Sequence, residues 1–448
     1  MPPQLADGAA SQAALAGEAH HLDREDPLAA FAAEFHVPVD QRGRALVYLA
    51  GHSLGLQPRA AQGYVEEELA AWRRLGVLAH AQGRRPWIGY HEHASATLAD
   101  LVGAAAAEVV AMNSLTVNLH LMMVSFFRPA AGRDCVLIER SAFPSDRYAV
   151  VSQLRYHGLD EDTHLIEVGP ARDAGDADDA DDADDAGDAS VAPSPLRTED
   201  VLACIEREAP RLALVLLPGV QYLTGQCLDL APLIAAARRA GAVVGLDLAH
   251  AIGNTPLELH DWNADFAVWC SYKYLNGGPG AVGGCFVHER HAGRFDLPRF
   301  AGWWGNNQDT RFLMRPGFEP SPGAAGWQVS NPPVLSSAPL LASLELFARA
   351  QLPRLRLKST ALTAFLARAL NTLVGGRFEL ITPSAPAARG CQLSLRLPDA
   401  RTVHDRMGTA GVIVDVREPD ILRLAPTPLY NSFADCYAAA AALARALP

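Results

Sequence analysis

The pattern of apolar positions is most regular between residues 197 and 287. Uninterrupted apolar runs, which are typical of strands buried on both faces, alternate there with amphipathic stretches that have a helical period. The strands predicted from these runs are Ala213–Leu217, Val243–Leu248, Phe266–Cys270 and Gly283–Val287, and the helices are Arg197–Glu208 and Ala231–Ala240. Strands linked by helices indicate an α/β domain with a largely parallel sheet.

Similar signals extend to both sides of this region. Towards the N-terminus the pattern predicts strands Ala45–Leu49, Val136–Glu139 and Thr163–Val168 and helices Arg59–Leu75, Thr97–Val110, Asn113–Phe127 and Tyr148–Tyr156, with Asn113 or Ser114 as an N-cap. Towards the C-terminus it predicts helices Ala338–Ala350 and Leu352–Leu373 and strands near Cys391–Leu397 and Ile421–Leu424. This last group indicates a smaller α+β domain.

The length of the chain, 448 residues, exceeds what one hydrophobic core holds, because such cores stop growing near ~250–300 residues. We therefore expect a large domain over residues 89–335 and a small C-terminal domain over residues 336–448. Residues 25–88 are expected to pack with the small domain. Residues 1–24 are rich in Ala and Gly and lack the features of a secretory signal, so they are expected to form a disordered tail.

Composition narrows the class of protein. Hydrophobic residues make up 49% of the chain and charged residues 20%, which excludes a disordered or fibrous protein for the bulk of it. No apolar run reaches the ~18 residues that a membrane-spanning helix needs. The seven Cys are scattered and form no CxxC pair, so we expect neither a disulfide framework nor a zinc site, and a reduced, cytoplasmic protein.

One segment dominates the net charge of −12. Residues 173–188 contain nine Asp and no basic residue, so the rest of the chain carries −12 + 9 = −3. The whole low-complexity stretch, residues 172–195, is predicted to be a disordered surface insertion, because its like charges repel and it has little to bury. A calcium loop would need Gly and Glu at fixed positions, and their absence disfavours this alternative.

The basic residues are almost all Arg: the chain has 36 Arg and only two Lys, Lys273 and Lys358. Arg cannot form an imine, whereas Lys can act as a nucleophile, so a retained Lys is either functional or a chance survivor. Lys358 lies in an amphipathic helical pattern and is expected to be an exposed surface residue. Lys273 follows an apolar strand and precedes a Gly-rich loop, which favours a functional role.

Polar residues follow several of the predicted strands, where ligands bind in open α/β sheets. Asp247 and His250 close one strand, Lys273 follows another, and Phe143–Asp146 follow a third. Alone, the Asp is more often a cap or an ion-pair partner, and the His a hydrogen-bonded core residue. Together, Asp and Lys supply what a pyridinium cofactor needs, a carboxylate beside its ring nitrogen and an amine for its aldehyde. The combination points to pyridoxal phosphate.

The phosphate of such a cofactor needs hydrogen-bond donors. Residues 113–116, Asn-Ser-Leu-Thr, begin a predicted helix, whose N-terminus offers backbone N–H groups and a positive dipole end. Simple capping explains this segment equally well when it is taken alone. Tyr272 adds a phenol next to Lys273, and the Gly-rich residues 276–280 are predicted to form a turn close to the site.

These and further motifs resemble the kynureninases, pyridoxal-phosphate enzymes with the aspartate aminotransferase fold, known as fold type I. The matching segments are LAGHSLGLQP, GRRPW, MNSLTVNLH, AFPSDRYA, LTGQ, DLAHAIGN, LHDWNADFAVWCSYKYLNGGPG, GWWGN, SNPP and RLAPTPLYNSF. The resemblance covers the chain from Leu22 to Phe433, with the Asp/Ala segment as an insertion. It implies a large domain with a mainly parallel sheet of seven-stranded type and a smaller α+β C-terminal domain.

The resemblance also implies roles for residues at matching positions. The cofactor-binding residues would be Leu115, Thr116, Phe143, Ser145, Asp146, Asp247, His250, Tyr272, Lys273, Trp303 and Asn331, and the substrate-binding residues Ser53, His80, Asn306, Asn331 and Arg423. Three of these would be catalytic: Lys273 as the Schiff-base lysine, Asp247 as the partner of the ring nitrogen, and Tyr272 as a candidate acid or base. Trp303 and Asn331 would act across a dimer interface, and Arg423 would bind the substrate carboxylate. The plainer alternatives are interface packing for Trp303 and a solvated charge at a strand end for Arg423.

Two positions depart from the family pattern. Pro218 stands where relatives often carry Ser near the cofactor, so one phosphate hydrogen bond is expected to be missing. Asn306 stands where animal relatives carry His near the substrate ring, whereas His80 and Asn331 match the animal-like pattern. We therefore expect both L-kynurenine and 3-hydroxykynurenine to be cleaved.

The activity that the resemblance implies is hydrolysis of kynurenine to anthranilate and L-alanine, or of 3-hydroxykynurenine to 3-hydroxyanthranilate and L-alanine, in tryptophan catabolism. The implied partners are a small-molecule substrate and a second copy of the chain, with no nucleic acid, membrane or metal. One rival is a class V aminotransferase or cysteine desulfurase on the same fold. Desulfurases need a reactive Cys on a mobile loop, whereas Cys270 and Cys285 lie in apolar strands. An inactive binding protein is a second rival, which the retained Asp247 and Lys273 disfavour.

Overall fold

The structure is a computed structural model that describes residues 3–170 and 194–447. Its α-helices are α1 Pro3–Glu25, α2 Ala61–Leu75, α3 Glu92–Val102, α4 Leu115–Phe126, α5 Pro144–Tyr156, α6 Glu161–His164, α7 Thr198–Glu208, α8 Leu230–Arg239, α9 Leu259–Trp262, α10 Val334–Ala350, α11 Leu352–Leu373, α12 Ala400–Thr409 and α13 Phe433–Ala446. Its strands are β1 Phe35–His36, β2 Val47–Tyr48, β3 Gln57–Pro58, β4 Val109–Ala111, β5 Cys135–Glu139, β6 Leu165–Val168, β7 Leu212–Pro218, β8 Val243–Asp247, β9 Phe266–Trp269, β10 Gly284–Val287, β11 Glu379–Leu380, β12 Leu393–Arg396, β13 Val412–Ile413, β14 Asp415–Arg417 and β15 Ile421–Leu424.

A seven-stranded sheet organises the middle of the chain. Its order is β4-β10-β9-β8-β7-β5-β6, and all neighbours are parallel except β10, which runs antiparallel to both β4 and β9. The predicted mainly parallel α/β sheet is therefore confirmed.

The apolar runs form this sheet because each strand is covered on both faces. In β7, Leu214 and Leu216 belong to the core on one face, while Val215 and Leu217 belong to the core on the other. Successive side chains of a strand point to opposite faces, so an uninterrupted apolar run is what a doubly covered strand requires.

The direction of the parallel strands sets the place of the site. Strands β5, β7, β8 and β9 run the same way, so their carboxyl ends meet at one edge of the sheet. Glu139, Pro218 and Asp247 end three of them, and the loop that carries Lys273 leaves the fourth. Residues far apart in the sequence are thus brought to a single edge.

A second core lies in the C-terminal part of the chain. A four-stranded antiparallel sheet of order β11-β12-β15-β14 packs with helices α11, α12 and α13. Leu15, Ala19 and Leu49 from the beginning of the chain join this core. The pattern predicted α11, β12 and β15 and missed β11, β14, α12 and α13. The boundaries at residues 25–88, 89–335 and 336–448 stay predictions. The acidic segment 172–195 lies, apart from its last two residues, outside the described residues.

The prediction of a disordered tail over residues 1–24 is wrong for the described part. Residues 3–25 form helix α1, which packs on α13 and buries Leu15 and Ala19. The carboxylate of Asp23 accepts hydrogen bonds from the first backbone N–H groups of α13, those of Phe433 and Ala434, at 2.7 and 3.0 Å. These contacts lie far away in the sequence, so the local Ala/Gly composition gave no sign of them.

The predicted helix Thr97–Val110 is also partly wrong. Helix α3 ends at Val102, because Gly103 takes a left-handed conformation with φ 62°. A Cβ at Gly103 would lie 2.3 Å from the carbonyl oxygen of Leu257, so only Gly fits. Ala106–Glu108 then form a 3-10 helix, and Val109–Ala111 form the edge strand β4.

Lys358 is buried, which contradicts its expected place on the surface. Its Nζ lies 2.7 Å from Oδ2 of Asp26, and the side chains are only 6% and 4% exposed. The helical pattern hid this, because Lys358 falls on the side of α11 that the N-terminal segment covers. Among the described residues, no helix is both long enough and apolar enough to cross a membrane.

The Lys358–Asp26 ion pair generates a prediction about stability. Removing one member of a buried pair leaves the other charge unpaired and costs about 3–5 kcal/mol. Lys358→Ala should therefore lower the free energy of unfolding strongly, whereas the double variant Lys358→Met, Asp26→Leu should recover much of the loss. Urea unfolding measures both, with Arg354→Ala, an exposed change on the same helix, as the control. A Lys358→Ala protein as stable as the control would contradict the pair's importance.

Candidate active site

A cavity opens at the carboxyl edge of the parallel strands. The residues predicted to bind a cofactor that line it are Leu115, Thr116, Phe143, Ser145, Asp146, Asp247, His250, Tyr272 and Lys273. Trp303 and Asn331, predicted for the same task, lie outside it. The structure therefore brings together most of the predicted cofactor site from one chain.

Buried carboxyl groups form one side of the cavity. Asp247 ends β8 and is 8% exposed, and its Oδ1 accepts a 2.6 Å hydrogen bond from the backbone N–H of Ala249. Asp146 lies in the first turn of α5, and its Oδ1 is buried without a hydrogen-bond partner among the described residues. Burial, and then the neighbouring Asp247 carboxylate, raise the pKa of Asp146 well above its usual range.

Glu139 is a third carboxyl group that the sequence analysis missed. It ends β5, lines the cavity and is buried. Burial is the main reason that its pKa lies well above the usual range, and Asp247 adds to the effect. Its position at the end of an apolar strand run, as for Asp247, was the signal that could have found it.

Lys273 lies across the cavity between two aromatic rings. Its Nζ is 5.6 Å from the centre of the Phe143 ring and 5.9 Å from that of Tyr272. Gly55 holds the loop that carries Lys273, because its N–H donates to the carbonyl of Tyr272 at 2.8 Å. A Cβ at Gly55 would lie 2.4 Å from the carbonyl oxygen of Lys273, so the two segments are in close contact. The turn at residues 51–55 therefore packs directly on the Lys273 loop.

The N-terminus of α4 forms the far end of the cavity. Leu115 is its first residue, Ser114 is the N-cap, and Thr116 Oγ1 lies 2.8 Å from Ser145 Oγ. The first N–H groups of a helix have no partner within it, and they attract anions. Pro218 lines the cavity too, so this position contributes no hydroxyl group.

His250 lies beside the cavity as a buried imidazole. Burial, followed by the positive charges of Lys273 and Arg423, lowers its pKa well below the usual range. Its Nδ1 has no partner within the described residues. His52, which the sequence analysis did not single out, lies with its ring centre 6.4 Å from that of His250.

Arg423 and Ser53, both predicted to bind substrate, share one hydrogen-bonded cluster around Asp415. Nε and Nη2 of Arg423 donate to Asp415 Oδ1 at 3.0 and 2.6 Å, and Nη1 donates to the carbonyl of Tyr222 at 2.7 Å. Ser53 Oγ donates to Asp415 Oδ2 at 2.7 Å, and Arg417 adds a second cation. Asp415 was missed because strand β14, which carries it, is short and has no clear apolar pattern.

The remaining predicted residues lie elsewhere. His80 packs edge-on against Trp87, with 5.5 Å between the ring centres. The side chain of Asn306 braces its own loop, since its Oδ1 accepts a 2.7 Å hydrogen bond from the N–H of Glu319. Trp303 is 45% exposed, and Asn331 lines a second cavity that Tyr272 also borders.

The main cavity fits pyridoxal phosphate in each of its parts. The α4 N-terminus suits the phosphate, Phe143 offers a face to an aromatic ring, and Lys273 offers an amine to an aldehyde. Asp247, with the unpartnered Oδ1 of Asp146 beside it, suits a positively charged ring nitrogen. An unpaired buried carboxyl group is costly unless such a ligand is present.

Comparison with solved structures supports the fold. The cysteine desulfurase CsdA from Escherichia coli has a TM-score of 0.71 at 18% identity, covering 94% of this chain and 98% of that one. A variant of C-DES that carries glycine covalently linked to the PLP cofactor also has a TM-score of 0.71 at 18% identity, covering 89% of this chain and 96% of that one. The fold is thus that of the fold type I enzymes.

Comparison of sequences identifies the family. Residues 355–443 match the model of the kynureninase C-terminal domain. The protein named kynureninase from Koribacter versatilis (strain Ellin345) is 51% identical over 417 residues, covering 93% of this chain and 94% of that one. Those from Xanthomonas campestris pv. campestris (strain B100), at 54%, and Myxococcus xanthus (strain DK1622), at 52%, match over 420 residues each, covering 93% and 94% of this chain and 94% of each relative. With this identity along nearly its full length, the chain belongs to the kynureninase family.

Proposed function

We propose that the protein is a kynureninase that hydrolyses L-kynurenine to anthranilate and L-alanine with pyridoxal phosphate as its cofactor. The observation that carries the proposal is the single cavity shared by Lys273, Asp247 and Phe143, in a chain of this family. The same site would take 3-hydroxykynurenine and release 3-hydroxyanthranilate and L-alanine.

Bound pyridoxal phosphate supplies an electron-withdrawing ring that stores the electron pair left when a bond at the substrate's α-carbon breaks. Lys273 would hold the aldehyde and, once freed, would move the α-proton. Asp247 would keep the proton on the ring nitrogen, and Phe143 would pack on the ring face. Leu115 and Thr116 would bind the phosphate at the start of α4.

Hydrolysis also needs a proton donor near the side-chain carbonyl, and Tyr272 suits this role. Burial, and then the neighbouring Cys270, raise the pKa of its phenol, so the O–H keeps its proton. Water adds to the carbonyl carbon and the bond between Cβ and Cγ breaks. The electron pair stays on Cβ, which takes up a proton to become the methyl group of alanine, while the carbonyl carbon leaves as the carboxyl group of anthranilate.

Substrate recognition is assigned to residues around this cavity. Arg423 binds the α-carboxylate, since planar guanidinium groups pair well with carboxylates, and Ser53, whose hydroxyl donates to Asp415, is assigned to the substrate beside it. His80, Asn306 and Asn331 are assigned to the aromatic ring, where a 3-hydroxyl needs a polar partner.

The cysteines support a hydrolase over a desulfurase. Every Cys is buried except Cys227, which is half-buried. Burial raises the pKa of Cys270 to about 11, raises that of Cys285 further, and raises that of Cys227. Desulfurases need an accessible thiolate, and these thiols are poorly suited to supply one.

We further propose a cytoplasmic homodimer that binds neither nucleic acid nor membrane. Trp303 is an exposed aromatic residue, and Phe312, Leu313 and Met314 nearby are more than half exposed. Contiguous apolar surface of this kind marks a protein interface. Trp303 and Asn331 would reach the cofactor site of the partner subunit.

The first test of function is an assay of the purified protein on both kynurenines, together with Lys273→Arg. Wild type should release L-alanine and the matching aromatic acid from each substrate. Lys273→Arg should reduce product formation to background, because a guanidinium forms no imine. Lys358→Arg, the same change at the other lysine, should lose stability but keep its turnover. Near-normal turnover in Lys273→Arg, or no cleavage by wild type, would refute the proposal.

The second test concerns Asp247. Asp247→Asn removes the charge that keeps the ring nitrogen protonated, so turnover should fall by orders of magnitude while cofactor is still bound. Turnover normalised to cofactor content, with the unfolding temperature as a check on folding, measures the effect. A cofactor-loaded Asn variant with the wild-type rate would mean that Asp247 does not contact the ring nitrogen.

The third test concerns the dimer. Lys273→Ala and Trp303→Ala should each be nearly inactive alone, if Trp303 serves the opposite site. When the two variants are mixed after reversible dissociation, about half of the dimers should be hybrids. Each hybrid has one site with both Lys273 and Trp303, so about a quarter of wild-type activity should return. Light scattering gives the oligomeric state. A fully active monomer, or a mixture without recovery, would contradict the arrangement.

A further inference from the structure

His52 is a buried residue whose hydrogen-bonding groups are unused within the described chain. It is 1% exposed, and neither ring nitrogen has a partner among the described residues. A neutral imidazole carries one donor and one acceptor, and burying both unpaired is unfavourable. The ring is therefore suited to a partner that comes from outside the protein.

The turn that carries His52 is fixed on both sides. Before it, the N–H of Leu49 donates to Ile413 at 2.8 Å, and the N–H of Ala425 donates to Leu49 at 2.8 Å. After it, the N–H of Gly55 donates to the carbonyl of Tyr272. His52 thus lies between the strand that carries Arg423 and the loop that carries Lys273.

Three cations act on His52, and two of them, Arg423 and Lys273, are assigned to the substrate's amino-acid end. Burial, and then Arg423, Lys273 and Arg417, lower the pKa of His52 well below its usual range. The ring is consequently neutral near pH 7. Ser53, the next residue, places its Oγ 3.5 Å from Arg423 Nη2.

Arg423 alone is an incomplete carboxylate site. Of the five N–H donors of a guanidinium, that at Nε and one at Nη2 are used by Asp415, one at Nη1 is used by Tyr222, and the second at Nη2 faces Ser53 Oγ at 3.5 Å. Asp415 also cancels one of the two positive charges of Arg417 and Arg423. A substrate carboxylate therefore needs a further donor, and it must come from a neighbour of Arg423.

We propose that His52, as a neutral imidazole, donates a hydrogen bond to the α-carboxylate of the amino-acid substrate beside Arg423. The role rests on the proposed function, because it assumes that Arg423 and Lys273 receive the amino-acid end of the substrate. A neutral donor binds the carboxylate without adding a fourth positive charge to those of Lys273, Arg417 and Arg423.

L-Alanine and anthranilate separate the two ends of the site. L-Alanine carries the α-carboxylate and amine, whereas anthranilate carries the aromatic ring without them. In the cofactor-loaded enzyme, His52→Leu should raise the Kd of L-alanine about 10- to 100-fold, because one hydrogen bond to a charged group is lost. The change in visible absorbance on L-alanine binding measures this Kd. The inhibition constant of anthranilate should change by less than about threefold.

Two further variants make the result specific. His52→Asn keeps a neutral donor and should bind L-alanine more tightly than His52→Leu does. His91→Leu is the control, because His91 is also a buried histidine with an unpartnered Nδ1, but its charged neighbours are Glu92, Arg311 and His93 rather than Arg423 and Lys273, so this change should leave the Kd unchanged. Cofactor content and unfolding temperature verify folding, and His52→Phe replaces the Leu variant if that one fails to load cofactor.

Several outcomes would overturn the proposal. One is a His52→Leu enzyme that binds L-alanine as tightly as wild type does, and another is an equal rise in the L-alanine Kd in the Leu and Asn variants. A third is a lower kcat with an unchanged L-alanine Kd, which would place His52 at the reacting carbonyl. If wild type binds L-alanine with the expected variant pattern but cleaves neither kynurenine, the proposed function fails while the role of His52 at the carboxylate stands.

Discussion

Buried carboxyl groups at one edge of the parallel sheet are the constraint on which the site depends. Glu139 and Asp247 reach this edge because they end strands that run the same way, and Asp146 joins them from the first turn of α5. Unpaired buried charges are strongly unfavourable. The raised pKa values of Glu139 and Asp146 relieve part of this cost, and a ligand with a positively charged ring nitrogen relieves the rest. The acidic strand ends therefore favour a cofactor with a positively charged ring, and the sheet also fixes where that ring lies.

Beside the cavity, positive charge is in excess instead. Lys273, Arg417 and Arg423 bring positive charge into a region with one carboxylate, Asp415, to balance it. In the proposed function an anionic substrate group completes the balance, so a cationic cofactor ring and an anionic amino acid would each meet groups of the opposite charge. Neutral His52 and His250 fit between these groups, because their depressed pKa values prevent further positive charge.

A feature of the fold or of the site was predictable from the sequence when the residues that determine it lie close together along the chain. Asp247 ends an apolar strand and Lys273 follows another, and the parallel order of the strands brings their ends together, so the sequence predicted that these residues share one cavity. Lys358 and the N-terminal helix were misjudged because their contacts, with Asp26 and with α13, join distant segments. Glu139 and His52 were missed for another reason: one buried acid or histidine has no pattern of its own, and its meaning comes from neighbours that only the fold supplies.

The two halves of the proposed site come from different parts of the fold. The proposed cofactor half is built on the seven-stranded sheet, within a fold that this chain shares with the cysteine desulfurase CsdA at 18% identity. The proposed substrate half combines the turn at residues 51–55 with strands β14 and β15, from opposite ends of the chain. Residues that hold the cofactor are limited by the sheet geometry, whereas residues in a turn or on a short strand change with little effect on the core. A change of substrate within this fold is therefore expected to act first through positions such as His52, Ser53 and Asp415, while Asp247 and Lys273 keep their roles.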